Sequence, residues 1–156
     1  MNSEQQGDGV ELLIVEDSPQ DLELALRALK KAKISNRIHV ARDGAEAIDF
    51  IFGGGAYPNR RPEDAPRLVL LDLKLPKVDG LEVLLRIKSD PKTRSIPVVM
   101  LTSSREQNDI VESYRLGVNS YIVKPVSFER FVSAVHDLGI YWLLLNQAPE
   151  HQGPGP

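Results

Sequence analysis

Leu68-Val69-Leu70-Leu71-Asp72 is four apolar residues closing on a carboxylate, and its reading decides the fold. A strand with one wet face alternates apolar and polar side chains. A run with no polar face must be covered on both sides, as in a parallel sheet between helices. The same design recurs along the chain. Val10–Val15 is a short apolar run closing on Glu16-Asp17, and Val98-Val99-Met100-Leu101 closes on Thr102-Ser103. Tyr121-Ile122-Val123 closes on Lys124-Pro125, and Arg37–Ala41 is a further short strand candidate. Between these runs the apolar spacing turns helical. Leu22, Leu26 and Leu29 follow Ser18-Pro19, which reads as an N-cap and a first-turn proline. Further helices are expected over Ala45–Phe52, Leu81–Ile87 and Glu106–Leu116, and a last one from Phe128 on Phe131, Val132 and Val135. Strands alternating with helices, joined by right-handed crossovers, give an α/β fold: a doubly wound, five-stranded parallel sheet with five helices.

Composition narrows what such a fold does here. The 156 residues suit one domain, and 42% hydrophobic residues suit a packed core. With 19 basic and 22 acidic residues the net charge is −3, so no basic field points to a nucleic-acid partner or an anionic membrane. The absence of Cys excludes disulfides, thiolate zinc sites and a cysteine nucleophile. His39, His136 and His151 are too scattered to suggest a histidine metal site. The polar start has no signal-peptide character, and the longest apolar run, Ile140–Leu145, is far short of the roughly 18 residues of a membrane span. A cytoplasmic location without membrane partner is the expectation. Residues 1–9 read as a flexible arm and 147–156 as a flexible tail.

Ligands of open α/β sheets sit beyond the carboxyl ends of the strands, so the residues just past each run carry the chemistry. Those residues are Glu16, Asp17, Asp72, Thr102, Ser103 and Lys124. Three carboxylates aimed at one crevice repel each other unless a cation shares the site. Oxygen ligands without His or Cys select a hard cation, and a half-built site suits Mg²⁺. A hydroxyl donor and a lysine beside that cation match a phosphoryl group, and a carboxylate can accept one as an aspartyl phosphate.

Ile14-Val15-Glu16-Asp17, Leu70-Leu71-Asp72-Leu73-Lys74-Leu75-Pro76 with Asp79-Gly80, Leu101-Thr102-Ser103 and Val123-Lys124-Pro125 occur in that order. Over residues 10–146 the chain resembles a response-regulator receiver domain of two-component signalling. That resemblance implies a flavodoxin-like sheet of strand order 2-1-3-4-5. It implies Asp72 as phosphoacceptor, taking its phosphoryl group from a sensor histidine kinase, and Mg²⁺ as cofactor. Asp17, Asp72 and the backbone carbonyl of Lys74 would bind the metal, with Glu16 acting through water. Thr102, Ser103 and Lys124 would serve the phosphoryl group, Tyr121 would be the switch aromatic, and Pro125 would follow a cis peptide bond. Such a protein is not an enzyme acting on a separate substrate. It promotes its own phosphoryl transfer and dephosphorylation, and it signals by protein contacts or phosphorelay. A phosphatase of similar fold is the competing reading, but Lys74 stands where its general acid would be. A receiver that never accepts phosphate is the third. Lys74 and Ser104 occupy the positions that flank the attacking water in this family, and lysine is not the commonest choice there.

Two features lie outside the site. Gly53–Arg67 carries three glycines and three prolines without an apolar period, and reads as a long loop insertion over 53–67. Tyr57 and Arg60-Arg61 suit it to partner contact; the alternative is a tolerated surface insertion. That loop and Leu138–Asn146 are similar to the small regulators that partner phytochrome-type histidine kinases, although similar stand-alone regulators occur without a photoreceptor. Ile140–Leu145 would surround a continuing last helix with bulky apolar groups, more than one buried stripe can absorb. A homodimer through Ile140, Tyr141, Trp142, Leu144 and Leu145 is therefore expected; terminal segments folding back over the patch are the alternative.

Overall fold

The apolar runs become the strands of one sheet in the computed structural model, which describes residues 12–34, 37–103 and 107–139. In chain order the elements are β1 (Leu12–Val15), α1 (Pro19–Lys31), β2 (Ile38–Ala41), α2 (Gly44–Phe52), β3 (Leu68–Asp72) and α3 (Gly80–Ser89). They continue with β4 (Val98–Thr102), α4 (Gln107–Arg115), β5 (Ser120–Val123) and α5 (Phe128–Asp137). The strand order is β2-β1-β3-β4-β5, and every pairing is parallel.

Burial explains the strand compositions. Every residue of β1, β3 and β4 is buried, because these three central strands have helices on both faces. Leu12, Ile14, Leu68, Leu70, Val99 and Leu101 turn toward one apolar layer with Leu29 of α1 and Phe131 and Val135 of α5. Leu13, Val15, Val69, Leu71, Val98 and Met100 turn the other way, onto Phe50 and Ile51 of α2 and Val83, Leu84 and Ile87 of α3. The edge strands β2 and β5 are only partly covered and are correspondingly mixed in composition.

The helix starts follow local chemistry. The Ser18 hydroxyl accepts the Asp21 N–H at 3.2 Å to open α1, and the Asp43 carboxylate accepts the Glu46 N–H at 2.7 Å to open α2. Gly80 opens α3 where a Cβ would run into the carbonyl oxygens of Asp72 and Leu73. Only glycine lets α3 begin this close beneath the end of β3.

One expectation is sharpened and one corrected. The loop over 53–67 is a loop with local order. Gly54 and Tyr57 exchange backbone hydrogen bonds of 3.1 and 2.7 Å, and Pro62–Asp64 forms a 3₁₀ turn. Side chains fasten the loop inward. The Arg60 guanidinium lies 3.7 Å over the Phe50 ring and donates to the Phe50 and Asp64 carbonyls at 2.6 and 2.8 Å. Tyr57 donates to Glu46 Oε2 at 2.7 Å and sits 2.9 Å from His39 Nε2, while His39 stacks on Phe50 at 4.0 Å. Tyr57 and Arg60 are thus engaged with their own chain.

The last helix also ends early. Gly139 has φ 72°, in the left-handed region, and its N–H bonds to the His136 carbonyl at 2.9 Å. This glycine interrupts the single continuous helix expected through Ile140–Leu145. Ile140, Tyr141, Trp142, Leu144 and Leu145 lie outside the described residues, as does Ser104.

Candidate functional site

Strand register assembles the site. Val15 is paired with Leu71, Asp72 with Leu101, and Thr102 with Val123. The polar residue at or just beyond each of these pairs therefore emerges at the same rim of the sheet. Glu16, Asp17 and Asp72 each bring a carboxylate oxygen within 4.8 Å of the others. Glu16 and Asp72 are buried and Asp17 is exposed, so the group has a closed floor and an open mouth.

Lys124 is the hub. Its ammonium lies 3.3 Å from Asp72 Oδ2, 3.2 Å from Glu16 Oε1 and 3.0 Å from Asp21 Oδ2. The backbone N–H of Lys124 donates to the Thr102 carbonyl at 2.7 Å, continuing the β4–β5 ladder by one residue. The Lys124-Pro125 peptide is cis. Burial opposes charge on Lys124, but the bond to Asp21 and the charges of Asp72 and Glu16 outweigh it, and its pKa lies above the usual lysine value. Burial and then the Glu16 charge push the Asp72 carboxyl up to about 7, against the pull of Lys124.

The site fits a metal and an anion on two observations. A divalent cation among three crowded carboxylates would relieve the repulsion that raises Asp72. The Thr102 hydroxyl is fully buried and has no hydrogen-bond partner among the described residues. A buried orphan hydroxyl costs on the order of 1–3 kcal/mol, which a ligand oxygen at that spot would offset.

Residues 12–136 match the family described as the response regulator receiver domain. The chain belongs to that family.

This receiver is 56% identical to the bacteriophytochrome response regulator AtBRR, with 90% of this chain and 99% of that one covered at a TM-score of 0.78. It is 40% identical over 132 residues to response regulator Rcp1 of Synechocystis sp., covering 85% of this chain and 88% of that protein. A Mn²⁺-bound crystal form of Rcp1 superposes at a TM-score of 0.70 with 39% identity, over 88% of this chain and 96% of that one. The probable methanogenesis regulatory protein FilR2 of Methanothrix harundinacea is 43% identical over 141 residues, 88% of this chain and 86% of that protein. The likeness to phytochrome-associated response regulators therefore holds in both sequence and structure. Among the described residues no helix is long and apolar enough to cross a membrane.

The side chains of Ser103 and Lys74 are exposed. Tyr121 is 38% exposed, with its ring edge-on to Tyr114 at a centroid distance of 6.0 Å, so it stands on the outer surface of β5. Sequence reasoning missed Asp21, whose carboxylate makes the shortest of the three ion pairs to Lys124. An acidic residue in the first turn of a helix reads as a partner for the helix dipole, which hides any second role. It missed Arg42 as well, whose guanidinium donates to the Asp17 carbonyl at 3.4 Å. An arginine just past an edge strand carries no signal of its own.

Proposed function

We propose that this receiver accepts a phosphoryl group on Asp72 from a phosphohistidine of a sensor histidine kinase. The observation that carries the reading is the buried, unpartnered Thr102 hydroxyl on the strand beside Asp72, which is itself ion-paired to Lys124. A carboxylate oxygen of Asp72 attacks phosphorus, the O–P bond forms as the N–P bond breaks, and the imidazole leaves with the electron pair. Asp17, Asp72 and the Lys74 carbonyl would hold Mg²⁺, with Glu16 bound through water. The ion supplies charge neutralisation at the carboxylates and at the phosphoryl oxygens. Thr102 donates its free hydroxyl to the arriving group, and Lys124 pairs with its oxygens. Tyr121, exposed beside Tyr114, is where the change reaches a partner-binding surface.

Likeness to AtBRR and Rcp1 supports a kinase of phytochrome type, a cytoplasmic setting and output by protein contacts or phosphorelay. The apolar Ile140–Leu145 supports pairing with a second copy.

Intact mass after incubation with acetyl phosphate and Mg²⁺ tests the acceptor. The native protein should gain one phosphoryl mass and Asp72→Asn should gain none, while light scattering on the same samples reads the dimer. A native protein unmodified by acetyl phosphate and by its kinase would sink the proposal.

A further inference from the structure

We propose that Asp21 is a positioning residue that competes with the phosphoryl group for the Lys124 ammonium, and so sets how tightly the site holds that group. The inference rests on the reading of Asp72 as phosphoacceptor. An ammonium has three N–H donors. Lys124 spends them on three carboxylates: Asp21 at 3.0 Å, Glu16 at 3.2 Å and Asp72 at 3.3 Å. With its side chain only 13% exposed, Lys124 has no donor to spare for a newcomer.

A phosphoryl group on Asp72 brings roughly two negative charges beside this lysine. Lys124 can meet them only by redirecting donors from partners it already has. The partners differ in what they lose. Glu16 is buried, so dropping it would leave a bare carboxylate in the interior. Asp72 is the reacting group. Asp21 is one-third exposed and is rehydrated most easily, so the exchange runs through Asp21.

Asp21 does not follow the lysine. Its backbone N–H is held by the Ser18 hydroxyl at 3.2 Å, and the Ser18 N–H donates to Glu16 Oε2 at 3.1 Å. The start of α1 is thus tied to the floor of the site, and the Asp21 backbone is held in place behind the ammonium. Removing its charge removes both a competitor for Lys124 and a repulsion on the incoming anion. Both changes favour the phosphoryl group. Lys124 keeps its place without Asp21, because Glu16 and Asp72 hold it from the other sides.

Beryllofluoride, a stand-in for the phosphoryl group, tests this by calorimetric titration at saturating Mg²⁺. Asp21→Asn should bind it about threefold more tightly than the native protein, the scale of a partly exposed ion pair. Asp21→Ser should do the same, whereas Asp21→Glu, which keeps the charge, should return to native affinity. Unchanged or weaker binding in both charge-free variants overturns the inference, because a merely structural Asp21 would move only the melting temperature. A native protein that binds no beryllofluoride, or Asp72→Asn binding it as well as native, would instead overturn the acceptor reading, and this inference with it.

Discussion

Two polar networks stand at different places on the same sheet, and they are built to opposite ends. The loop knot of His39, Glu46, Tyr57 and Arg60 is closed. Tyr57 donates to Glu46, so its oxygen is free to accept from His39, and both guanidinium bonds of Arg60 end on backbone carbonyls. The Phe50 ring lies against His39, Tyr57 and Arg60, which adds aromatic and cation–π contact. The site of Glu16, Asp17, Asp72, Thr102 and Lys124 is open: one hydroxyl has no partner, and one carboxyl is pushed up to about 7. A satisfied network rigidifies the chain, whereas an unsatisfied one stores affinity for a ligand. The knot stabilises the fold, and the site keeps bonding capacity for a ligand.

The largest contrast should appear in Asp72→Asn. In metal-free buffer at pH 8 this change should raise stability by on the order of 2 kcal/mol, read by chemical denaturation. The folded pKa lies above the unfolded one, so the native protein loses stability as pH rises from about 4 through about 7. The variant should lack that slope, and the gap between the two should close below about pH 4. Equal stability at pH 8 would mean that neither burial nor the Glu16 charge disfavours the Asp72 carboxylate.

Tyr57→Phe should break the closed network. It removes the donor to Glu46 Oε2 and the partner of His39 Nε2, costing about 1 kcal/mol in the same assay while leaving labelling of Asp72 intact. The pH sense is reversed here. Burial, against the Glu46 charge and with help from Arg60, holds His39 below the usual histidine pKa, so this contribution is lost as pH falls. A variant whose stability runs parallel to native at every pH would dissociate His39 from the knot.

The smallest stability effect is expected for Thr102→Val. It removes a buried hydroxyl that bonds to nothing, so the protein should be stabilised by about 1 kcal/mol, the low end of the cost of an orphan polar group. Beryllofluoride binding should fall sharply. A large loss of stability with unchanged binding would show that the hydroxyl is structural.

What was legible in the sequence follows the same division. Uniform apolar runs such as Leu68–Leu71 reveal a central strand because burial on both faces leaves a one-dimensional trace. Residues at the strand ends were equally legible, since register carries them to one rim. Asp21 was not, because its role depends on Lys124, more than a hundred positions away. The loop knot was invisible for a like reason: Tyr57 reaches back to Glu46 and His39 through side-chain bonds that no spacing rule anticipates. The end of α5 could have been read, because a lone glycine after a run of helical periodicity marks a left-handed cap.

The register that gathers the site has a kinetic corollary. Lys124 meets Glu16 across 108 positions of chain and Asp72 across 52. Contacts of such sequence separation form only after loop closure has been achieved, and β5, which carries the lysine to the rim, occupies one edge of the sheet. A chain with four strands paired would still lack the Lys124 ammonium beside Asp72. Under the proposed phosphoryl transfer, competence to react at Asp72 would be a timestamp on completed folding, and it would keep a nascent or half-unfolded molecule from carrying a signal.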